Sequence, residues 1–205
     1  MHPKPVIRSQ LRSRRRALSG GYRRLADRKI QKHALSLVRR CGARRVACYL
    51  DADGEVGTRR LIRALHDEGV WVYLPVVVPG SRRLHFRRHR PNGPLRRNRY
   101  GLAEPPPNSG PVVAATSLSL VLAPLVGFDP LGRRLGMGGG YYDTTFSFLH
   151  GRHWHPVRVV GLAYTCQQVA SLPGAAWDVP LRAVITERGI MRFRRRTSGR
   201  WREGV

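Results

Sequence analysis

The chain has 205 residues, 41% of them hydrophobic, and sets 38 Lys and Arg against 12 Asp and Glu for a formal net charge of +26. That length and apolar content suit one generous globular domain rather than a disordered chain, and no apolar run approaches the ~20 residues needed to cross a bilayer. Three cysteines without a CxxC pair fit neither a disulfide framework nor a structural zinc site, and point to a reducing cytoplasm.

The first residues are arginine-rich but lack an apolar h-region, which argues against a secretory signal. They share the composition of a mitochondrial transit peptide, a reading that weakens if the arginines serve the fold. Apolar spacing predicts amphipathic helices over residues 7–18 and 24–38, with Leu25, Ile30, Leu35 and Val38 on one face of the second. A compact apolar run at 45–50 reads as a buried strand. The turn at 51–57 follows it, and Thr58 is placed to cap a helix reaching His66. Further strands are expected at 70–78 and 84–86, and Pro, Asn and Gly make 90–111 a long loop. A buried strand at 118–123 leads through Phe128 into a glycine run. A helix over 141–149 and strands at 157–163 and 183–186 complete the pattern. This order predicts an α/β protein. Residues 1–190 form a single three-layer domain with a mainly parallel central sheet and helices on both faces, and 191–205 form a basic, mobile tail.

The charge is spread along the chain and is almost all arginine, Lys4, Lys29 and Lys32 being the only lysines. No zinc finger, RNP-like stretch or basic-aromatic interleaving is legible along the chain, so nucleic acid is not expected as the main partner. His150, His153 and His155 have no acidic neighbour in their loop and read as exposed histidines rather than metal ligands.

The densest chemistry lies in RLGMGGGYYD, Arg134 to Asp143. Glycines let the backbone approach a ligand and expose N–H groups, and arginines beside them suit phosphate oxygens. A flexible turn is the plain alternative. The run is not a Walker loop, since neither Lys nor Ser/Thr follows the glycines, and it lacks the acidic residue of a dinucleotide fingerprint. In an open α/β sheet, ligands collect at the carboxyl ends of the strands. The turn at 51–58, the stretch 127–143 and the Trp177-Asp178-Val-Pro segment are the polar turns placed there, and Arg8 and Arg12, spaced i, i+4, face one direction.

The stretch from Ala123 to Asp143, APLVGFDPLGRRLGMGGGYYD, resembles the signature of the 5-formyltetrahydrofolate cyclo-ligase family, also called 5,10-methenyltetrahydrofolate synthetases. RSQLR at 8–12, YLDADGEVGT at 49–58, LPVV at 74–77 and WDVPL before AVIT occur in the expected order around it. The resemblance implies an enzyme that uses ATP to close 5-formyltetrahydrofolate, polyglutamylated or not, to 5,10-methenyltetrahydrofolate, releasing ADP and phosphate. It implies ATP contacts from Arg8, Arg12, Arg134, Leu135, Gly136, Met137, Gly138, Gly139, Gly140, Tyr141 and Tyr142. It assigns the folate to Leu50, Glu55, Met137, Gly138, Gly139, Gly140 and Tyr141, catalysis to Arg134 and Tyr141, and Mg²⁺ to Asp143. Relatives carry Arg or Tyr at the position of Met137, and eukaryotic ones carry Lys at that of Gly139, so more of the phosphate load falls here on Arg134, Arg8 and Arg12. A monomer is expected. The competing reading is a basic RNA- or nucleotide-binding paralogue without the chemistry.

Overall fold

A computed structural model describes residues 3–150 and 155–193. In chain order the elements are α1 (Lys4–Arg16), α2 (Gly20–Arg40), β1 (Arg45–Ala47), α3 (Arg59–Asp67), β2 (Trp71–Val77), β3 (Leu84–Arg88), β4 (Arg96–Arg97), β5 (Ala103–Glu104) and β6 (Val112–Val113). There follow β7 (Leu120–Pro124), β8 (Gly127–Phe128), β9 (Arg134–Leu135), α4 (Tyr141–Thr145), β10 (Arg158–Leu162), β11 (Ala183–Thr186) and β12 (Gly189–Arg192).

Among the described residues the main sheet has eight strands in the order β12-β11-β10-β7-β1-β2-β3-β6. Its centre, β11-β10-β7-β1-β2, is parallel, and antiparallel strands close both edges. The chain moves from β1 to β2 on one side and later returns with β7 on the other. The switch point therefore lies between β1 and β7, where α/β sheets open a crevice at their carboxyl ends. The segment after β1 carries Glu55, and the segment after β7 carries the glycine run.

The central strands are buried on both faces, which is why they read as continuous apolar runs. Val46, Val72, Leu74, Leu120, Leu122, Val160 and Leu162 pack under α2 and α3. Ala47, Tyr73, Val121, Ala123, Val159 and Val184 form the other face with Phe86 and Phe146. Ser19 starts α2 by accepting a hydrogen bond from the Tyr22 N–H at 3.2 Å. Helix α1 lies apart, burying Leu11 and Arg15 against the 3₁₀ turn Thr165–Gln167 and the small cluster of Val126, Leu135 and Leu172.

Several expectations change in detail. Thr58 begins α3 but does not cap it with its side chain; the hydroxyl turns inward and donates to the Tyr49 carbonyl. The helix expected over 141–149 stops at Thr145, and a separate 3₁₀ turn covers Ser147–Leu149. Two β-branched threonines weaken the helix there, and the Thr145 hydroxyl is drawn to β3, accepting from the Leu84 N–H at 2.7 Å. The long loop contains the β4–β5 ribbon, anchored by Glu104, which is only 1% exposed. Its carboxylate accepts from the Val77 N–H at 3.0 Å, from Asn98 at 3.1 Å and from Arg96 at 3.0 Å. At the far end, β12 takes up Met191 and Arg192, and Phe193 is buried. The rest of the expected tail, and His153, lie outside the described residues.

Asp129 fixes the loop that enters the glycine run. It is fully buried and accepts from the N–H groups of Leu131 (3.0 Å), Arg133 (3.1 Å) and Leu172 (3.0 Å), and from Arg133 Nε at 2.6 Å. Asp129→Ala strands those donors, and the expected loss is about 3 kcal/mol of unfolding free energy. A lowered urea midpoint at unchanged m-value checks it; a midpoint equal to wild type overturns this role.

Candidate active site

The glycine run curls between β9 and α4. Gly138 (φ 107°) and Gly140 (φ 68°) hold left-handed conformations that strain other residues. A Cβ at Gly139 would stand 2.9 Å from the Tyr141 ring. Gly138 and Gly139 are exposed, and Met137 is about half exposed beside them, so the backbone opens to solvent. Leu135 turns its side chain into the core, so only its backbone lines the run.

Arg134 is held rigidly at the front. Its side chain is 5% exposed, Nη2 donates to Asp143 Oδ1 at 2.8 Å, and its guanidinium lies 5.3 Å from the centroid of the Tyr142 ring. Arg8 reaches across from α1 and donates from Nε to the Gly136 carbonyl at 2.8 Å. Arg12, one turn on, goes elsewhere: its Nε donates to Asp53 Oδ2 at 2.9 Å. Arg15 and Arg16 converge on the same carboxylate. The shared face of Arg8 and Arg12 thus spans two loops, touching the glycine run with one residue and the loop after β1 with the other.

In that second loop Asp53 has a positive φ of 50°, a conformation Asp tolerates better than most residues. Burial alone would raise its carboxyl, but hydrogen bonds from Arg12 and Arg16 and the charge of Arg15 hold it below the usual range. Glu55 behaves oppositely. Burial pushes its carboxyl up to about 7, against the Ala52 N–H that it accepts at 3.2 Å and the charge of Arg15. Leu50 is half-buried beside the core under α2.

Tyr142 joins the two loops electrostatically. Burial raises its phenol, Arg134 opposes this, and Glu55 and Cys48 are close enough to add to the rise. Arg134 and Tyr142 thus lie against each other, and Tyr142 also stacks on Phe146 at 6.0 Å. Tyr141 faces outward. Its hydroxyl lies 2.7 Å from the Tyr100 hydroxyl and accepts from Arg99 Nη2 at 2.8 Å. The bond with Tyr100, then that with Arg99, holds its phenol below its ordinary value. Arg99 and Tyr100 were not expected at the site. The available signal was an Arg-Tyr pair inside Asn98 to Gly101, in a loop otherwise made of turn residues.

The model of the 5-formyltetrahydrofolate cyclo-ligase family matches residues 1–187. The chain belongs to that family. The 5-formyltetrahydrofolate cyclo-ligase of Haemophilus influenzae is 40% identical over 176 residues, covering 85% of this chain and 92% of that protein. The enzyme of the same name from Escherichia coli K12 is 38% identical over 177 residues, covering 86% and 96%. The NMR structure of Aquifex aeolicus 5,10-methenyltetrahydrofolate synthetase superposes with a TM-score of 0.78 at 30% identity, covering 98% of this chain and 96% of the other.

Two acidic positions remain to be placed. Asp178 accepts from Lys4 Nζ at 3.0 Å and from the Ala175 N–H at 2.8 Å, so it ties α1 to a turn. Asp143 receives both of its hydrogen bonds, from Arg134 and from the Val179 N–H at 3.2 Å, on Oδ1. Among the described residues no three His, Cys, Asp or Glu side chains gather to hold a metal. Oδ2 of Asp143 accepts no hydrogen bond among the described residues, and a lone carboxylate oxygen fits Mg²⁺, which keeps several waters and takes few protein ligands.

The raised Glu55 has a pH consequence. Because its folded pKa of about 7 lies above the ordinary 4.5, folding favours the protonated form. That contribution is fully present below about pH 4.5, falls as pH climbs to about 7, and is absent above. Relative to Glu55→Gln, wild type is expected to lose on the order of 1 kcal/mol of stability across this window. Urea unfolding of both proteins at several pH values checks it; parallel pH profiles overturn it.

Proposed function

We propose that this family member closes 5-formyltetrahydrofolate to 5,10-methenyltetrahydrofolate at the crevice between the β1 and β7 loops, with ATP as co-substrate. The observation that carries the site is that α1 ties the two loops together, Arg8 donating to the Gly136 carbonyl after β7 and Arg12 to Asp53 after β1. A formamide oxygen is a poor leaving group. In the proposed reaction it attacks the γ-phosphorus of ATP and ADP departs. N10 then adds to the formyl carbon and loses its proton, and the C–O bond breaks with phosphate leaving. Such a reaction needs alignment and charge neutralisation more than a covalent nucleophile.

In this reading Arg134, Arg8 and the N–H groups of Gly136 to Gly140 hold the phosphates. Arg12 contributes positive charge while its Nε stays on Asp53. Glu55, poised near neutrality, hydrogen-bonds the pterin, and Leu50 and Met137 give apolar contact. Tyr141 stands where nucleotide and folate meet, steadied by Arg99 and Tyr100. Asp143 would hold Mg²⁺, and the ion would add charge neutralisation at the phosphates. We further propose that the enzyme is a cytoplasmic monomer and accepts polyglutamylated folates. No helix among the described residues is long and apolar enough to cross a membrane. The RNA- or nucleotide-binding paralogue without chemistry is not favoured, given relatives of 40% and 38% identity that are cyclo-ligases.

The test is methenyl-chromophore absorbance after mixing protein, 5-formyltetrahydrofolate, ATP and Mg²⁺; absence of an ATP-dependent signal from folded protein overturns the function. Arg134→Ala is expected to lower kcat/KM about 10²-fold or more. Near-normal turnover in that variant removes Arg134 from the site while leaving the function standing. Chelating the divalent ion is expected to abolish the signal and excess Mg²⁺ to restore it.

A further inference from the structure

The amino ends of the parallel strands form a rim on the side of the sheet opposite the active site. Arg45 opens β1 directly beside Trp71, which opens β2, and antiparallel β3 brings Arg88 to the same end. The Arg45 guanidinium lies 5.5 Å and that of Arg88 4.7 Å from the Trp71 ring centroid. The indole remains 43% exposed. Farther along the rim stand Arg158 at the start of β10, Arg182 just before β11, and Arg192 on β12, in register with Ala183. All five arginines are exposed, and none forms an ion pair among the described residues. In the approaches to β1, β2, β7, β10 and β11 the acidic residues are Asp67, Glu68 and Asp178, of which Glu68 is taken by Arg39 and Asp178 by Lys4.

We propose that this rim binds the sugar-phosphate backbone of single-stranded nucleic acid, in addition to the folate reaction. Strands lie ~4.8 Å apart, so the row from β3 to β12 runs for about 29 Å. That is an extended line of one sign, suited to a linear polyanion rather than a small anion. Cation–π contact with Trp71 steadies two guanidiniums while leaving N–H groups for phosphate oxygens. Neighbouring strands rotate by about 20° to 25°, so the line of charge twists; a flexible single strand follows it where a rigid duplex cannot. Acidic peptides usually dock by adding to a sheet edge or filling an apolar groove, and a rim of strand ends presents no sheet edge. The basic-aromatic interleaving absent along the chain is assembled across three strands.

The test is fluorescence anisotropy of a labelled single-stranded RNA of about 12 nucleotides at ~0.15 M salt, with cyclo-ligase turnover as the check on folding. Replacing Arg45 and Arg88 together by Ala is expected to weaken binding about tenfold or more. The slope of log K against log salt should become shallower by about 1.4, for two phosphate contacts at ~0.7 each. The same charge removed from the exposed face of α2, by Arg24→Ala with Arg28→Ala, should change both far less. Arg158→Ala with Arg182→Ala touches no aromatic ring and carries the same expectation as the first pair if that one fails to fold. The proposal is overturned by equal losses from rim and α2 variants, by no wild-type binding at this salt, or by polyglutamate or duplex RNA competing as well as the single strand.

Discussion

The arrangement of the site depends on one buried cation. Arg15 has no exposed surface, and taking a charge out of water costs several kcal/mol unless partners replace the solvent. Its partners come from both sides of the switch point: the Asp53 carboxylate and carbonyl after β1, and the Leu125 carbonyl after β7. The replacement is incomplete, since Nε of Arg15 has no hydrogen-bond partner. Gln167 reinforces the tie by donating to the carbonyls of Leu125 and Val126. Helix α1 is thereby fixed across the crevice, and Arg12 and Arg8, one and two turns earlier, are carried to the two loops.

Local surroundings outweigh the net charge of +26. In so positive a protein, uniform electrostatics would hold every carboxyl below its ordinary pKa, as Asp53 is held. Glu55, two residues away, rises to about 7 because removal from water counts for more than a screened field. Asp53 takes up the nearby guanidinium donors, so Glu55 receives no ion-pair partner. The same cluster that positions α1 leaves a carboxyl able to exchange a proton near neutrality.

The sheet was legible because its signal is local: buried parallel strands are continuous apolar runs, and β11 at Ala183–Thr186 falls where the sequence places it. Helix α4 ends sooner than apolar spacing predicts, because that spacing says nothing of Thr145 being drawn to Leu84. Within the candidate site, the glycine run and Glu55 stand out in the sequence through motif and resemblance. The partner of Arg12 was not, because helical spacing gives a direction and not a destination. Arg99 and Tyr100 were missed for a related reason: their approach to Tyr141 depends on Glu104 pinning the β4–β5 ribbon to β2, a contact between distant segments.

The arginines scattered along the sequence are sorted in space. On the side of the candidate site five of them meet acids, Arg12, Arg15 and Arg16 on Asp53, Arg133 on Asp129 and Arg134 on Asp143, while Arg8 meets a carbonyl and Arg99 a phenol. There the cations act as structural pins, and even Arg134 is steadied by a carboxylate. On the opposite rim Arg45, Arg88, Arg158, Arg182 and Arg192 have no such partners among the described residues, and Trp71 is the group that orders two of them. A stacked guanidinium keeps its hydrogen-bonding edge, whereas a carboxylate-paired one spends it. Unpaired, ordered and exposed cations carry a standing repulsion that folding does not relieve, and a polyanion laid along the rim would relieve it.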